Sequence, residues 1–120
     1  MHPKQIAQKP FTKGAGETKV FLLDCTDFLP PGATIASVNG SPAVTTLSGT
    51  STTPLAVAGI DTNDVAIDYE SACGTDTEVA IDKGIQATYS GGTAGCTYLV
   101  VFTWTNSEGE TEQGGVRVEM

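Results

Sequence analysis

Histidine, tryptophan and basic residues are scarce in this chain of 120 residues, and each shortage disfavours a class of chemistry. The one histidine, His2, lies beside Pro3, so no imidazole is placed to activate a Ser or Cys nucleophile in the body of the chain. No CxxC or HxxxH spacing occurs, which leaves zinc without a ligand set. We therefore expect a protein that is not an enzyme and that holds no cofactor and no metal.

Long apolar runs are also missing. A secretory signal needs about 7–15 apolar residues near the N-terminus, and the longest such run here is 20–23 (VFLL). A membrane span needs about 20 apolar residues. The sequence therefore predicts no membrane partner and a protein that is made in the cytoplasm and kept there before any assembly.

The chain contains three cysteines, Cys25, Cys73 and Cys96. Because this number is odd and the expected compartment is reducing, we predict free thiols that pack as small hydrophobic side chains. If the compartment becomes oxidising after cell lysis, Cys73 and Cys96 are the preferred disulfide pair.

The formal net charge of −8 is unevenly distributed. Four of the six basic residues lie in 1–19 with a single acidic residue, which gives this segment a charge of +3. The other 13 acidic and two basic residues give 20–120 a charge of −11. An acidic body repels phosphate backbones and anionic lipid, so nucleic acid and membrane surfaces are disfavoured as partners.

Residues 1–17 have the composition of an extended basic arm, separate from a domain over 18–120. Two prolines and two glycines interrupt the segment, and it shows little apolar periodicity. We expect the arm to dock on a neighbouring protein, although a disordered tail fits its composition equally well. The candidate partner-binding residues are Lys4, Ile6, Lys9, Phe11 and Lys13.

Alternation of apolar and polar residues predicts an all-β fold. The predicted strands are 18–25, 34–38, 55–57, 65–69, 78–81, 85–89, 96–105 and 116–120, with a weaker candidate within 39–53. In 96–105 every second residue is apolar, which places Trp104 in the core rather than in a ligand site. In 34–38 strict alternation places Ile35 and Val38 on opposite faces. About seven short strands separated by regular turns are typical of a β-sandwich.

The connections between strands also carry predictions. Thr26 is placed to cap a short helical turn, in which Phe28 plugs one end of the sandwich. Strands 78–81 and 85–89 are predicted to pair as a hairpin, with Gly84 supplying a positive φ in the connection.

Acidic residues cluster in the second half of the chain, at Asp61, Asp64, Asp68 and Glu70. A twelve-residue calcium loop starting at Asp61 needs an oxygen ligand at its fifth position and glycine at its sixth. Val65 and Ala66 occupy these positions. A solvated acidic rim is therefore favoured over a calcium site.

Three segments resemble a pattern found in virion proteins of tailed bacteriophages: 26–37 (TDFLPPGATIAS), 90–98 (SGGTAGCTY) and 107–111 (SEGET). The resemblance extends over about residues 18–120. Tyr98 also resembles the tyrosine corner of immunoglobulin-like sandwiches, in which the phenol bonds to upstream backbone. The resemblance implies an immunoglobulin-like β-sandwich of about seven strands behind the extended arm.

The same resemblance implies a non-enzymatic structural protein of the virion. The first expectation is a capsid decoration or minor capsid protein that stabilises the shell by binding the major capsid protein or another virion protein. A homo-oligomer is expected on a symmetric shell, with a trimer favoured. A fibre-tail or tail adaptor is the alternative of the same class, and a bacterial surface adhesion or carbohydrate-binding module is the alternative of another class.

Overall fold

A computed structural model of the chain describes residues 5–6, 10–62, 67–70, 76–79 and 82–120. Within these residues the fold is all-β, as predicted, with a single turn of 3-10 helix at Thr26–Phe28. The strands are β1 (Gln5–Ile6), β2 (Phe11–Thr12), β3 (Lys19–Asp24), β4 (Ile35–Val38), β5 (Ala43–Ser48), β6 (Leu55–Thr62), β7 (Ile67–Glu70), β8 (Asp76–Val79), β9 (Gly84–Gly91), β10 (Thr97–Asn106) and β11 (Thr111–Glu119). No helix in the described part of the chain has the length and hydropathy of a membrane span.

The strands form two facing sheets. In the large sheet, β10 and β11 pair antiparallel at the centre, β1 and β2 pair parallel with the outer side of β11, and β4 and β5 pair antiparallel with the outer side of β10. The small sheet has the order β3-β9-β6. The arrangement is sandwich-like, with the large sheet curled into a half-barrel. Among the strands that the structure describes, the hairpin β7–β8 pairs with neither sheet.

The core lies between the two sheets and is built on β10. The predicted apolar stripe is confirmed, because its five alternate residues are at most 2% exposed: Cys96, Tyr98, Val100, Phe102 and Trp104. Val116 and Val118 of β11 are also buried, whereas Arg117 and Glu119 are exposed. The register pairs Val100 with Val116 and Tyr98 with Val118. Period-two alternation therefore sets the inner face of both central strands.

The predicted facing of β4 is wrong at one position. Ile35 is buried and Val38 is half-buried, and both pack on the core instead of lying on opposite faces. The pairing of β4 with β10 shifts register between Thr105 and Asn106. Such an irregularity breaks the period of two, so two residues three apart can face the same side.

The predicted hairpin of 78–81 with 85–89 is also wrong. β8 pairs with β7, while β9 pairs with β3 and β6. The positive φ in the connection belongs to Asp82, at 58°, rather than to Gly84. Aspartate tolerates this region better than most residues, and here the Asp82 carbonyl oxygen accepts a 2.7 Å bond from the Ile35 amide.

The turn after β3 forms, but its capping residue is not Thr26. The turn is Thr26–Phe28, and Asp24 Oδ1 accepts bonds from the Thr26 amide at 3.0 Å and from Thr26 Oγ1 at 2.6 Å. Phe28 stacks on Trp104 with ring centroids 6.3 Å apart. The half-buried Phe28 therefore covers the indole, in agreement with its predicted place at the end of the sandwich.

Gly114 of β11 leaves the space that these two rings occupy. A Cβ at this position would lie 2.6 Å from Trp104 Cη2 and 2.8 Å from Phe28 Cδ2. We expect Gly114→Ala to lower the free energy of unfolding by about 2 kcal/mol, because aromatic rings in a packed core cannot give way without strain. Urea denaturation followed by tryptophan fluorescence measures the change.

Gly16→Ala is the matched control for this substitution. A Cβ at Gly16 has no atom within 4 Å, so stability should stay within about 0.5 kcal/mol of the wild-type value. Equal stabilities of the two variants would contradict the steric role of Gly114.

Candidate functional site

The described part of the predicted arm lies on the domain. Phe11 is 5% exposed and belongs to the core, where its ring stacks on Phe21 at 4.3 Å and meets the edge of Tyr89 at 5.6 Å. β2 pairs with the end of β11, Phe11 opposite Val118. This differs from the docking role that the sequence predicts for Phe11, because the aromatic side chain finds its apolar surroundings within the same chain.

Lys13 is buried as well, with 1% of its surface exposed. Its Nζ donates to the carbonyl oxygen of Gly91 at 2.6 Å and to that of Gly14 at 2.8 Å. Its backbone amide donates to the Glu119 carbonyl oxygen at 3.0 Å. A buried ammonium is stable only when its donors are satisfied, and here these bonds link the N-terminal segment to β11 and to the end of β9.

The five predicted partner-binding residues therefore have different outcomes in the structure. Phe11 and Lys13 are buried and do not present their side chains to a partner. Lys4 and Lys9 lie outside the described residues, and Ile6 is described only as the β1 residue opposite Gly115. A docking role for Lys4, Ile6 and Lys9 stays a prediction.

Tyr89 is a buried phenol without a hydrogen-bond partner among the described residues. Its hydroxyl is enclosed, and its ring packs edge-on against Phe21 at 5.3 Å. Burial raises the pKa of the Tyr89 phenol well above its ordinary value, and the neighbouring Cys25 adds to the rise. Because the ring is fully buried against other aromatic rings, Tyr89 contributes to the packing of the core.

The hydroxyl of Tyr98, in contrast to that of Tyr89, has hydrogen-bond partners. Its hydroxyl accepts a 3.0 Å bond from the Thr93 amide, lies 2.7 Å from Ser51 Oγ, and is placed to donate to the Thr53 carbonyl oxygen at 3.3 Å. The predicted bond from phenol to upstream backbone is thus confirmed. The phenol ties the turn before β10 to the segment before β6.

The two tyrosines give a matched prediction. Tyr89→Phe should raise the free energy of unfolding by about 1 kcal/mol, because it removes a buried hydroxyl that has no partner. Tyr98→Phe should lower it by about 1–3 kcal/mol, because the Thr93 amide then loses its acceptor. Chemical denaturation of both variants gives the signs, and equal effects would contradict the hydrogen-bond assignment.

A polar network that the sequence reading missed lies at the β10–β11 hairpin. Glu112 is 2% exposed and its Oε1 accepts from Trp104 Nε1 at 3.1 Å and from Asn106 Nδ2 at 3.0 Å. Asn106 Oδ1 in turn accepts from the amides of Glu108 and Glu110 at 2.9 and 3.0 Å. Alternation along β11 from the inward-facing Val116 also places residue 112 on the inner face. This pattern in the sequence could have predicted that Glu112 is buried. The network holds the hairpin together and orients the indole. Its role is structural, and it does not form a catalytic or ligand-binding site.

The hairpin β7–β8 carries two residues of the acidic cluster, Asp68 and Glu70, in a defined backbone register. In the backbone register, Asp68 lies opposite Glu78 and Glu70 lies opposite Asp76. Like charges directly opposite each other are destabilising. Asp64 is outside the described residues, and Asp61 is exposed. Within the part of the chain that the structure describes, no group of three His, Cys, Asp or Glu side chains could hold a metal ion.

Two of the three cysteines can be placed. Cys96 is a buried free thiol, and Cys25 is a buried thiol whose Sγ contacts the Leu23 carbonyl oxygen at 3.6 Å. This agrees with the prediction of thiols packed as small side chains. Cys73 lies outside the described residues.

The exposed apolar surface in the described residues is concentrated on β5. All six residues of this strand are exposed, and Val44 and Leu47 keep 37% and 48% of their surface. The third large exposed apolar residue is Val20 of β3, at 45%. β5 is therefore the described element best placed for a protein contact. No protein-family model, curated protein sequence or solved structure matches the chain.

Proposed function

We propose that the chain is an immunoglobulin-like β-sandwich that serves as a non-enzymatic structural component of a tailed-phage virion, bound to the capsid shell. The strand order supports the fold. Constant-type immunoglobulin domains place strands B, E and D together in one sheet and C, F and G in the other. The order β3-β9-β6 matches strands B, E and D, and β4, β10 and β11 match C, F and G. Strand β5 is an additional strand beside β10, and the N-terminal strands β1 and β2 lie in the large sheet instead of beside strand B.

Tyr98 adds a second and more specific support. The tyrosine corner of these sandwiches places a tyrosine near the start of strand F, with its hydroxyl bonded to backbone a few residues upstream. Tyr98 is the second residue of β10, and the amide that it binds belongs to Thr93.

The functional proposal rests on where the three phage-like segments lie. Segment 26–37 leads from the end of β3 into β4, segment 90–98 forms the corner into β10, and segment 107–111 forms the β10–β11 turn. The residues that carry the resemblance thus lie at connections between strands of the sandwich, and this observation carries the proposal. A fold alone does not assign a function, so the location on the particle has to be tested by binding.

A carbohydrate-binding module fits the described surface less well. Such sites use exposed aromatic platforms. Trp104 and Tyr98 are at most 1% exposed, and Tyr89 is fully buried.

The test is cosedimentation of the purified protein with heads, and separately with tails, of the phage or prophage whose genome encodes it. We expect saturable binding to heads at a stoichiometry set by the symmetry of the shell, and no binding to tails. Binding to tails alone would replace the capsid role with the adaptor role. Binding to neither particle would contradict the proposal.

The contribution of the N-terminal lysines is tested in the same assay. Lys4→Glu with Lys9→Glu should weaken head binding at least about tenfold if these residues contact the shell. Lys19→Glu with Arg117→Glu changes the net charge equally at exposed positions of the sandwich. Equal losses in both double variants would point to general electrostatics and contradict a docking role for Lys4 and Lys9.

A further inference from the structure

Asn39 and Gly40 begin the connection between β4 and β5, and both residues are exposed. Gly40 has a φ of 72°, and a Cβ built on it would have no atom within 4 Å. No residue in the described part of the chain accepts a hydrogen bond from the Gly40 amide. Because glycine also lacks a side chain that could shield it, the backbone nitrogen that follows Asn39 is open to solvent.

The side-chain amide of Asn39 is held only by hydrogen bonds on the surface. Its Nδ2 donates to Thr105 Oγ1 at 3.0 Å, and its Oδ1 accepts from Ser37 Oγ at 3.3 Å. Exposed hydrogen bonds of this kind contribute little to stability, and they open locally without unfolding of the domain. The Asn39 side chain can therefore leave Thr105 and turn toward the Gly40 nitrogen.

We propose that Asn39 is a site of spontaneous deamidation in the folded protein, which converts it to aspartate and isoaspartate. Asparagine is among the thermolabile residues of proteins. The Gly40 nitrogen loses its proton to solvent base and attacks Cγ of Asn39. A bond forms between these two atoms, the Cγ–Nδ2 bond breaks, and Nδ2 takes up a proton from solvent and leaves as ammonia. The product is a succinimide.

Water completes the reaction by opening the succinimide. It adds to either of the two ring carbonyl carbons, the bond from that carbon to the Gly40 nitrogen breaks, and the nitrogen regains a proton. Opening at Cγ gives aspartate, and opening at the main-chain carbon gives isoaspartate. Each event consumes one water, releases one ammonia and changes the net charge from −8 to −9. The new carboxylate lacks the donor of the bond to Thr105, and isoaspartate lengthens the main chain between β4 and β5.

Asn106 has the contrasting environment. It is 1% exposed, its Nδ2 donates to Glu112 Oε1 at 3.0 Å, and its Oδ1 accepts from two backbone amides. The next backbone nitrogen, that of Ser107, donates to the Thr34 carbonyl oxygen at 2.8 Å. Both reacting groups are thus occupied, and they meet only after a larger unfolding event. The third asparagine, Asn63, lies outside the described residues.

Incubation of the full chain at mildly alkaline pH and physiological temperature tests the proposal. Isoelectric focusing follows the more acidic form, and peptide mapping by mass spectrometry locates the replacement of NH2 by OH. We expect Asn39 to be modified at least about tenfold faster than Asn106. Asn39→Gln should slow modification of residue 39 at least about tenfold, because the longer side chain closes a less favourable ring. Asn63→Gln is the matched control and should leave the rate at Asn39 unchanged.

The same incubation in guanidinium chloride separates the effect of the fold from that of the local sequence. Denaturation should raise the rate at Asn106 at least about tenfold and change the rate at Asn39 by less than about tenfold. The wild-type map does not depend on how a variant folds. A native rate at Asn39 more than about tenfold below its denatured rate, equal native rates at Asn39 and Asn106, or a slower rate at Asn39 in Asn63→Gln would overturn the proposal.

Discussion

Phe11→Ala is expected to lower the free energy of unfolding by about 3–5 kcal/mol, the usual cost of removing a buried phenylalanine ring. The ring is 5% exposed and contacts Phe21 and Tyr89. Its loss leaves a cavity between the two sheets and frees β2 from the edge of β11. Denaturant unfolding followed by tryptophan fluorescence measures the loss, since Trp104 lies in the same core.

The outcome separates two descriptions of the N-terminal segment. If residues 1–17 were an arm that orders only on a partner, Phe11→Ala would change the stability of the isolated protein by less than about 0.5 kcal/mol. Val20→Ala is the control, because Val20 is 45% exposed and its truncation should cost little. Equal effects of the two substitutions would contradict the placement of Phe11 in the core.

Glu112→Ala is expected to lower the free energy of unfolding by about 3 kcal/mol. The substitution removes the acceptor of two buried donors, Trp104 Nε1 and Asn106 Nδ2. Each donor left without a partner costs about 1–3 kcal/mol, and the lost bonds are strengthened by the carboxylate. Thermal and urea unfolding give the change in free energy, and the Trp104 emission spectrum reports the environment of the indole.

Glu112→Gln is the control that keeps the acceptor. Both bonds end on Oε1, and an amide oxygen can accept them without the help of a negative charge. We expect a cost of about 1 kcal/mol. If Glu112→Gln and Glu112→Ala lower the free energy of unfolding equally, the carboxylate acts through its charge rather than as a shared hydrogen-bond acceptor. The assigned network would then be wrong.

The strands built on β10 could be predicted because their signal is long and regular. Five alternate residues from Cys96 to Trp104 are apolar, and all are buried. Gly109, with a φ of 83°, lies in the short turn that joins β10 to β11. Packing between two sheets strengthens the same alternation that defines the strand, so local and global preferences agree there.

The N-terminal strands could not be predicted in this way. β1 and β2 have two residues each, and a period of two cannot be detected over so short a span. Because lysine is rarely buried, the sequence predicts an exposed, partner-binding side chain for Lys13. Its burial depends on carbonyl oxygens of Gly14 and Gly91, and the second of these is distant in sequence.

The irregular strands failed for a related reason. The facing of Val38 depends on an irregularity in the pairing of β4 with β10, in which Thr105 lies opposite Ser37 and Asn106 opposite Ile35, and the alternation of the sequence does not reveal it. β8 pairs with β7 rather than with β9, although β7 carries two acidic residues, as β8 does, and β9 carries none. Such choices depend on tertiary context, which β-propensity does not encode.

The parallel pairing of β1 and β2 with β11 has a consequence for folding. Gln5 lies opposite Gly114 and Thr12 opposite Glu119, which joins segments more than 100 residues apart in the chain. Closing so long a loop is entropically costly and raises the contact order, which slows folding. During synthesis the N-terminal segment emerges first yet has no strand to pair with until β11 has left the ribosome. We therefore expect the edge that β1 and β2 complete to form late, after the rest of the large sheet is in place.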